Sequence, residues 1–290
     1  MAGLSAGQQE QVIGSVKQKI ASFPTDHPPV EMAADIHELV RSLAGADDPY
    51  ASIKRESNEV CRSCLPLLHE NLAWSLDPLS TAVKLTIAGN VIDFGAYAVK
   101  PLSRRDVLHT VEDVLSRPLS GDSPDALAAV ADEATTILFI GDNAGECFFD
   151  RFLLERLPTH KLTYAVRGGP VLNDATLDDA RAAGIEDVCP VIDTGDKSPG
   201  VVFNRCSPAF CEALETSDLV IAKGQGNYES LSGRTDRAYV FITKVKCDVI
   251  GDDIGFPTGS NVVRITRTRI EKRETINGEK SSKQMEVSYA

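Results

Sequence analysis

A chain of 290 residues, 42% hydrophobic and 25% charged, can bury an ordinary core in one large or two modest domains, which excludes a disordered or fibrous protein. Its net charge of -12 opposes non-specific binding to nucleic acid or to an anionic membrane, so any phosphate must be recognised locally. The first residues show no basic start or continuous apolar run, and no stretch reaches the ~18 apolar residues of a membrane span, so a cytoplasmic protein is expected.

In chain order, apolar positions at helical spacing predict helices over 8–22, 30–43, 50–73, 78–89, 103–116 and 124–132, with "FPTDHPP" and "RPLSGDSPD" as connecting loops. The first 130 residues thus read as an all-helical part. Seven cysteines, odd in number and scattered, read as reduced thiols. Cys61 and Cys64 form a CxxC with no second pair at zinc spacing, and a buried structural role is the better reading.

From about 135 the rhythm changes. "TTILFI", "KLTYAV", "DVCPVI", "DLVIAK" and "AYVFITKV" are short β-rich runs alternating with helical patterns. Continuous apolar strands separated by helices predict a parallel sheet covered on both faces. The fold class is therefore α/β: an N-terminal all-helical part, 1–130, followed by a Rossmann-like, doubly wound, mostly parallel sheet over 131–290. Its polar end, "RTRIEKRETINGEKSSKQMEVSYA", reads as an edge strand and a mobile tail.

In an open parallel sheet, ligands bind beyond the carboxyl ends of the strands. The five predicted strands deliver there Asp142 and Asn143; Arg167, Gly168, Gly169, Asn173 and Asp174; "DTGDKSPG"; "KGQGNYE"; and Lys244 and Lys246. Any one loop taken alone reads as turn and cap residues. Together, carboxylates, carboxamides, lysines and glycines that would let backbone approach a ligand favour a site.

Asp142, Asn143 and Asp174 offer oxygen ligands only, which suit Mg²⁺, Mn²⁺ or a similar hard divalent ion; His160 is the one histidine in this half, so zinc fits less well. A cation beside Lys223 and Lys246 describes a seat for a phosphoryl group, with metal-activated water as nucleophile. An aspartyl nucleophile of the Asp-x-Asp kind is disfavoured because position 144 is Ala. Glu146 reads either as a proton acceptor or supporting carboxylate, or as an ordinary acidic first-turn residue. "GDNAGE" is neither a P-loop nor a dinucleotide fingerprint, and no GxSxG elbow occurs. Cys147 reads as a buried thiol.

"GDNAGECFFD", "VLNDAT", "KGQGNYESL" and "KVKCDVIG", with "DPYASIKRESNE", "LPLLHE" and "DPLSTAVKLTIAGNVIDFG" upstream, together resemble the damage-control phosphatase family. That family was formerly a domain of unknown function and includes the acidic-residue methyltransferase-like proteins; the likeness is to its smaller, mostly prokaryotic type. The resemblance implies a divalent metal (Mn, Mg, Co or Ni) held by Asp142, Asn143 and Asp174, with Lys246 on the phosphate. It also implies a loop from Lys223 to Glu229, including Gly224, Gln225 and Asn227, lining the substrate. The activity implied is hydrolysis of small phosphomonoesters such as sugar phosphates, with Asp142, Asp174 and Lys246 catalytic. Two other readings stand beside it: a non-catalytic phosphometabolite-binding protein, and a carboxyl methyltransferase, although no glycine-rich methyl-donor loop is present. Larger eukaryotic relatives carry an acidic residue where this chain has Gln225. Asn90 and Asp93, in "AGNVIDFG", are expected to reach over the rim and close the pocket, the alternative for Asn90 being a polar helix end; Asp48 reads as a helix cap.

Overall fold

A computed structural model describes residues 4–24, 27–45, 47–91 and 102–266. Asp93 and the polar end beyond Thr266 lie outside the described residues. The helices are α1 (Ala6–Ser22), α2 (Pro29–Ala44), α3 (Ala51–Ala73), α4 (Pro78–Val91), α5 (Arg104–Ser116), α6 (Pro124–Glu133), α7 (Cys147–Leu154), α8 (Leu177–Ala182), α9 (Pro208–Thr216), α10 (Gly224–Leu231) and α11 (Asp248–Ile254). The strands are β1 (Leu119–Gly121), β2 (Ile137–Ile140), β3 (Leu162–Val166), β4 (Val191–Asp193), β5 (Leu219–Lys223), β6 (Ala238–Lys244) and β7 (Asn261–Thr266).

The seven strands form one sheet in the order β1-β7-β6-β5-β2-β3-β4. Every neighbouring pair is parallel except β6 with β7. The chain winds outward from β2 through β3 to β4, then returns to the other side of β2 for β5 and β6. The order therefore reverses between β2 and β5, and the crevice beyond their carboxyl ends is the topological switch point where such sheets bind ligands.

Side chains alternate across the strands. Ile137, Phe139, Tyr164, Ile221, Val240 and Ile242 face a cluster built with α3 to α7. Leu138, Ile140, Ala165, Val220, Ala222 and Phe241 face another with Phe210 of α9, Leu231 of α10 and Ile254 of α11. Helices α3 to α7 thus cover one face, while α1 and α2 pack in a cluster of their own; the expected all-helical part is not wholly helical, since β1, inside the expected "RPLSGDSPD" loop, pairs with β7. Helix α4 is apolar on all sides and buried from Ala82 to Asn90 except for Lys84, as befits a helix packed between α5, α7 and β6. Gly89 makes this possible: a Cβ there would lie 3.0 Å from Phe149 Cβ and 3.1 Å from Glu146 Cγ. The close approach of α4 to α7 carries Asn90 to the rim.

Candidate active site

The loop after β2 is fastened to the loop after β3 by main-chain bonds. Asn143 and Asp174 form an isolated antiparallel bridge. The Ala144 N–H donates to Asn173 O (2.9 Å) and the Ala175 N–H to Asp142 O (2.8 Å). This clamp brings together residues thirty positions apart. Asp142, Asn143, Asn173 and Asp174 line a cavity of about 240 Å³ with Lys246, Gln225, Gly226 and Glu229; Pro29, Val30 and Ala33 of α2 form its apolar wall. Leu172, which also lines the cavity, is a non-glycine residue at φ 47°, a conformation that costs energy and clusters at functional sites.

Asp142 Oδ2 accepts from Asn90 Nδ2 (2.8 Å) and Asn143 Nδ2 (3.2 Å). Its Oδ1 lies 3.6 Å from the Arg167 guanidinium, whose Nε donates to Asp174 Oδ2 at 2.8 Å. Arg167 is 1% exposed, and its two terminal nitrogens have no hydrogen-bond partner among the described residues. Burial, with Glu146 and Asp174 nearby, pushes the Asp142 carboxyl up to about 8, against the pull of Arg167 and Lys246. Burial also raises Asp174, Arg167 opposing. Negative charge is crowded here.

The glycines of "GDNAGE" serve packing. A Cβ on Gly141 would overlap the Tyr164 hydroxyl, and one on Gly145 would overlap Ser57 Oγ and crowd Cys61 Sγ. Gly224, at φ +78°, leaves room for the Asp142 carboxylate, which any side chain there would displace.

Lys223 differs from its expected place. It is fully buried, its ammonium paired with Glu146 and, at 2.6 Å, with Asp150, so it lies beneath the rim and cannot present its charge to a ligand. Burial alone would lower this ammonium, but Asp150 and Glu146 outweigh that and raise it. Asp150 is pushed up to about 6 by burial, Lys223 opposing, and also accepts from the Tyr164 hydroxyl at 2.8 Å. Asn227 is likewise fully buried, its Nδ2 donating to Gly141 O (3.1 Å) and Lys223 O (2.7 Å); it ties α10 to the β2 loop and does not line the cavity. Asn90 does reach the rim, yet it is 0% exposed, its Nδ2 shared between Asp142 and Glu146 and its Oδ1 accepting from Thr243 Oγ1. It positions carboxylates.

Lys246, by contrast, is exposed beside the cavity. Gln225 Nε2 donates to Glu229 at 2.7 Å. Lys244 turns to Asp113 of α5 at 3.8 Å. Asp48 accepts from the Tyr50 N–H ahead of α3 at 2.9 Å. Cys147 is a buried free thiol, as are Cys61 and Cys64, and burial pushes Cys147 well up. Among the described residues no group of three or more His, Cys, Asp or Glu is gathered to hold a metal; the convergent oxygen set of the rim contains two carboxylates and a carboxamide. Sequence reasoning missed the α2 wall, because its residues are merely apolar, and gave Arg167 no role, although its place after β3 was the available signal.

The fold and the rim define a doubly wound α/β protein with an acidic, partly cationic pocket at the sheet's switch point. The family model for the damage-control phosphatase ARMT1-like domain matches residues 2–262. An uncharacterized protein of Methanocaldococcus jannaschii is 36% identical over 81% of this chain and 79% of its own. A damage-control phosphatase of Archaeoglobus fulgidus is 34% identical over 81% of each chain, and one of Pyrococcus horikoshii is 36% identical over 78% of this chain and 77% of its own. The crystal structure of a Pyrococcus horikoshii protein of the family formerly designated by the number 89 among domains of unknown function superposes with a TM-score of 0.80 at 31% identity, covering 92% of each chain. The chain belongs to the damage-control phosphatase ARMT1-like family, and this membership supports a phosphatase role.

Proposed function

We propose that this protein is a divalent-cation-dependent phosphatase that hydrolyses small phosphomonoesters such as sugar phosphates. The observation that carries this reading is the main-chain clamp that sets Asp142, Asn143 and Asp174 on one cavity beside Lys246. The donor set suits a hard cation: all three residues offer oxygen, Asp142 Oδ1 takes no hydrogen bond among the described residues, and the crowded carboxylates call for positive charge. Asp142, Asn143 and Asp174 would hold Mn, Mg, Co or Ni. A cation there supplies Lewis acidity toward a phosphoryl oxygen and makes water a stronger nucleophile at neutral pH.

The chain's own residues supply the rest. Asn90 and Asn143 fix the Asp142 carboxylate, leaving Oδ1 or an oxygen of Asp174 to orient the attacking water. Lys246, at the mouth, offsets phosphoryl charge as it grows in the transition state. Gln225, Gly226 and Glu229 border the space for the leaving group, and the α2 wall excludes water from one side. The cavity of about 240 Å³ is below the roughly 300–1,000 Å³ of drug-sized pockets, consistent with a small metabolite, and the net charge of -12 disfavours polyanionic partners.

Purified protein is assayed for phosphate release from a panel of sugar phosphates with Mn²⁺, Co²⁺ or Mg²⁺. Release should stop with chelator and fall about 100-fold or more in Asp142→Ala. Release indifferent to both would refute the reading. Thermal stabilisation by a sugar phosphate without turnover would indicate binding alone, and binding of a labelled methyl donor would indicate carboxyl methyl transfer.

A further inference from the structure

Glu146 is 2% exposed and sits behind the rim. Its Oε1 meets the Lys223 ammonium, while its Oε2 accepts from Asn90 Nδ2 (3.2 Å), the Asn143 N–H (3.3 Å) and Asn143 Nδ2 (3.1 Å). A carboxamide is a nitrogen donor on one side and an oxygen acceptor on the other, and a half-turn exchanges them. Two carboxylates, Glu146 and Asp142, flank the nitrogen of Asn143. Its Oδ1 is left on the side of Asn173, whose Nδ2 donates to it at 2.9 Å and which lines the cavity. The reversed carboxamide would set its oxygen against both carboxylates and its nitrogen against the Asn173 donor. Lys223 and Asp150 hold Glu146 in turn, since the ammonium bridges the two acids.

We propose that Glu146 is a positioning residue that locks the Asn143 carboxamide with nitrogen inward and oxygen toward the cavity, so that Asn143 can serve a cation as an oxygen ligand. This rests on the metal-dependent reading above. An amide at position 146 would keep the shape but remove the negative charge that selects the nitrogen face.

The experiment is a calorimetric Mn²⁺ titration of the intact wild type, Glu146→Gln, Asn143→Asp and the double variant. A carboxylate at position 143 shows oxygen on both sides, so orientation no longer matters there. Glu146→Gln should weaken Mn²⁺ binding about 10- to 100-fold beside Asn143, but less than about threefold in the Asn143→Asp background. A merely structural role for Glu146 would lower affinity equally in both backgrounds and would overturn the proposal, as would unchanged affinity in Glu146→Gln. A wild type that binds no Mn²⁺ overturns the metal reading and the proposal with it. Should Glu146→Gln not fold, the wild type still decides. The side-chain NH₂ signals of Asn143, assigned by their loss in Asn143→Asp, should exchange slowly with solvent in nitrogen-15 spectra, with and without Mg²⁺. Fast exchange in both states would contradict a nitrogen bound to buried carboxylates.

Discussion

Lys223 and Lys246 both follow apolar strands at the same rim, and they meet opposite surroundings. Lys223 has two buried carboxylates to satisfy, so Lys223→Met should leave Glu146 and Asp150 uncompensated and cost about 3–5 kcal/mol of stability in urea unfolding. Lys246 stands exposed; Lys246→Ala should change stability by no more than about 0.5 kcal/mol while lowering kcat/KM for a phosphomonoester about tenfold or more. Equal effects of the two on stability would contradict the separate roles. This distinction was invisible in the sequence, because a lysine at a strand's end looks the same whether its chain rises to solvent or turns beneath the rim. Asp142 and Asn143 were legible because the strand-end rule needs only a strand and a polar break. The Asp-Asn pair has glycines on either side because a side chain at Gly141 would meet Tyr164 and one at Gly145 would meet Ser57 and Cys61 of α3, packing partners too distant in sequence to be seen there.

At the scale of elements, helix boundaries followed closely from apolar spacing and caps: 50–73 and 103–116 were expected where Ala51–Ala73 and Arg104–Ser116 occur. The short β1 was not seen, since three residues carry no periodicity, and its strand character comes from pairing with β7. Helix α2 shows how a remote element enters the site. Its first turn walls the cavity, while His37 further along accepts or donates at Tyr50 (3.3 Å) and is lowered to about 4, chiefly by burial and then by Arg41. A histidine whose folded value lies below its unfolded 6.5 binds fewer protons folded than unfolded. Its contribution is therefore complete above about pH 6.5 and is lost as pH falls toward 4. Thermal unfolding at pH 7, 5.5 and 4 should show this loss, and His37→Gln should flatten it; an identical pH slope in the variant would contradict the assignment.

Across the whole molecule, the helical cover and the sheet share one task. Helix α4 sends Asn90 to Asp142, Glu146 at the start of α7 reaches Asn143, and the β2 and β3 loops are bridged so that three oxygen-bearing side chains border one cavity. The parallel, doubly wound plan was readable from alternating strands and helices, but the antiparallel β7 was not, because only its pairing with β6 fixes its direction. Binding of a cation to the native state alone should stabilise the protein, by about 2.7 kcal/mol at a hundredfold excess over Kd. The most direct measurement is anomalous diffraction from a crystal grown with Mn²⁺. One strong peak is expected within about 2.0–2.6 Å of oxygens from Asp142, Asn143 and Asp174. A peak elsewhere, or none with the Arg167 guanidinium still between Asp142 and Asp174, would contradict it.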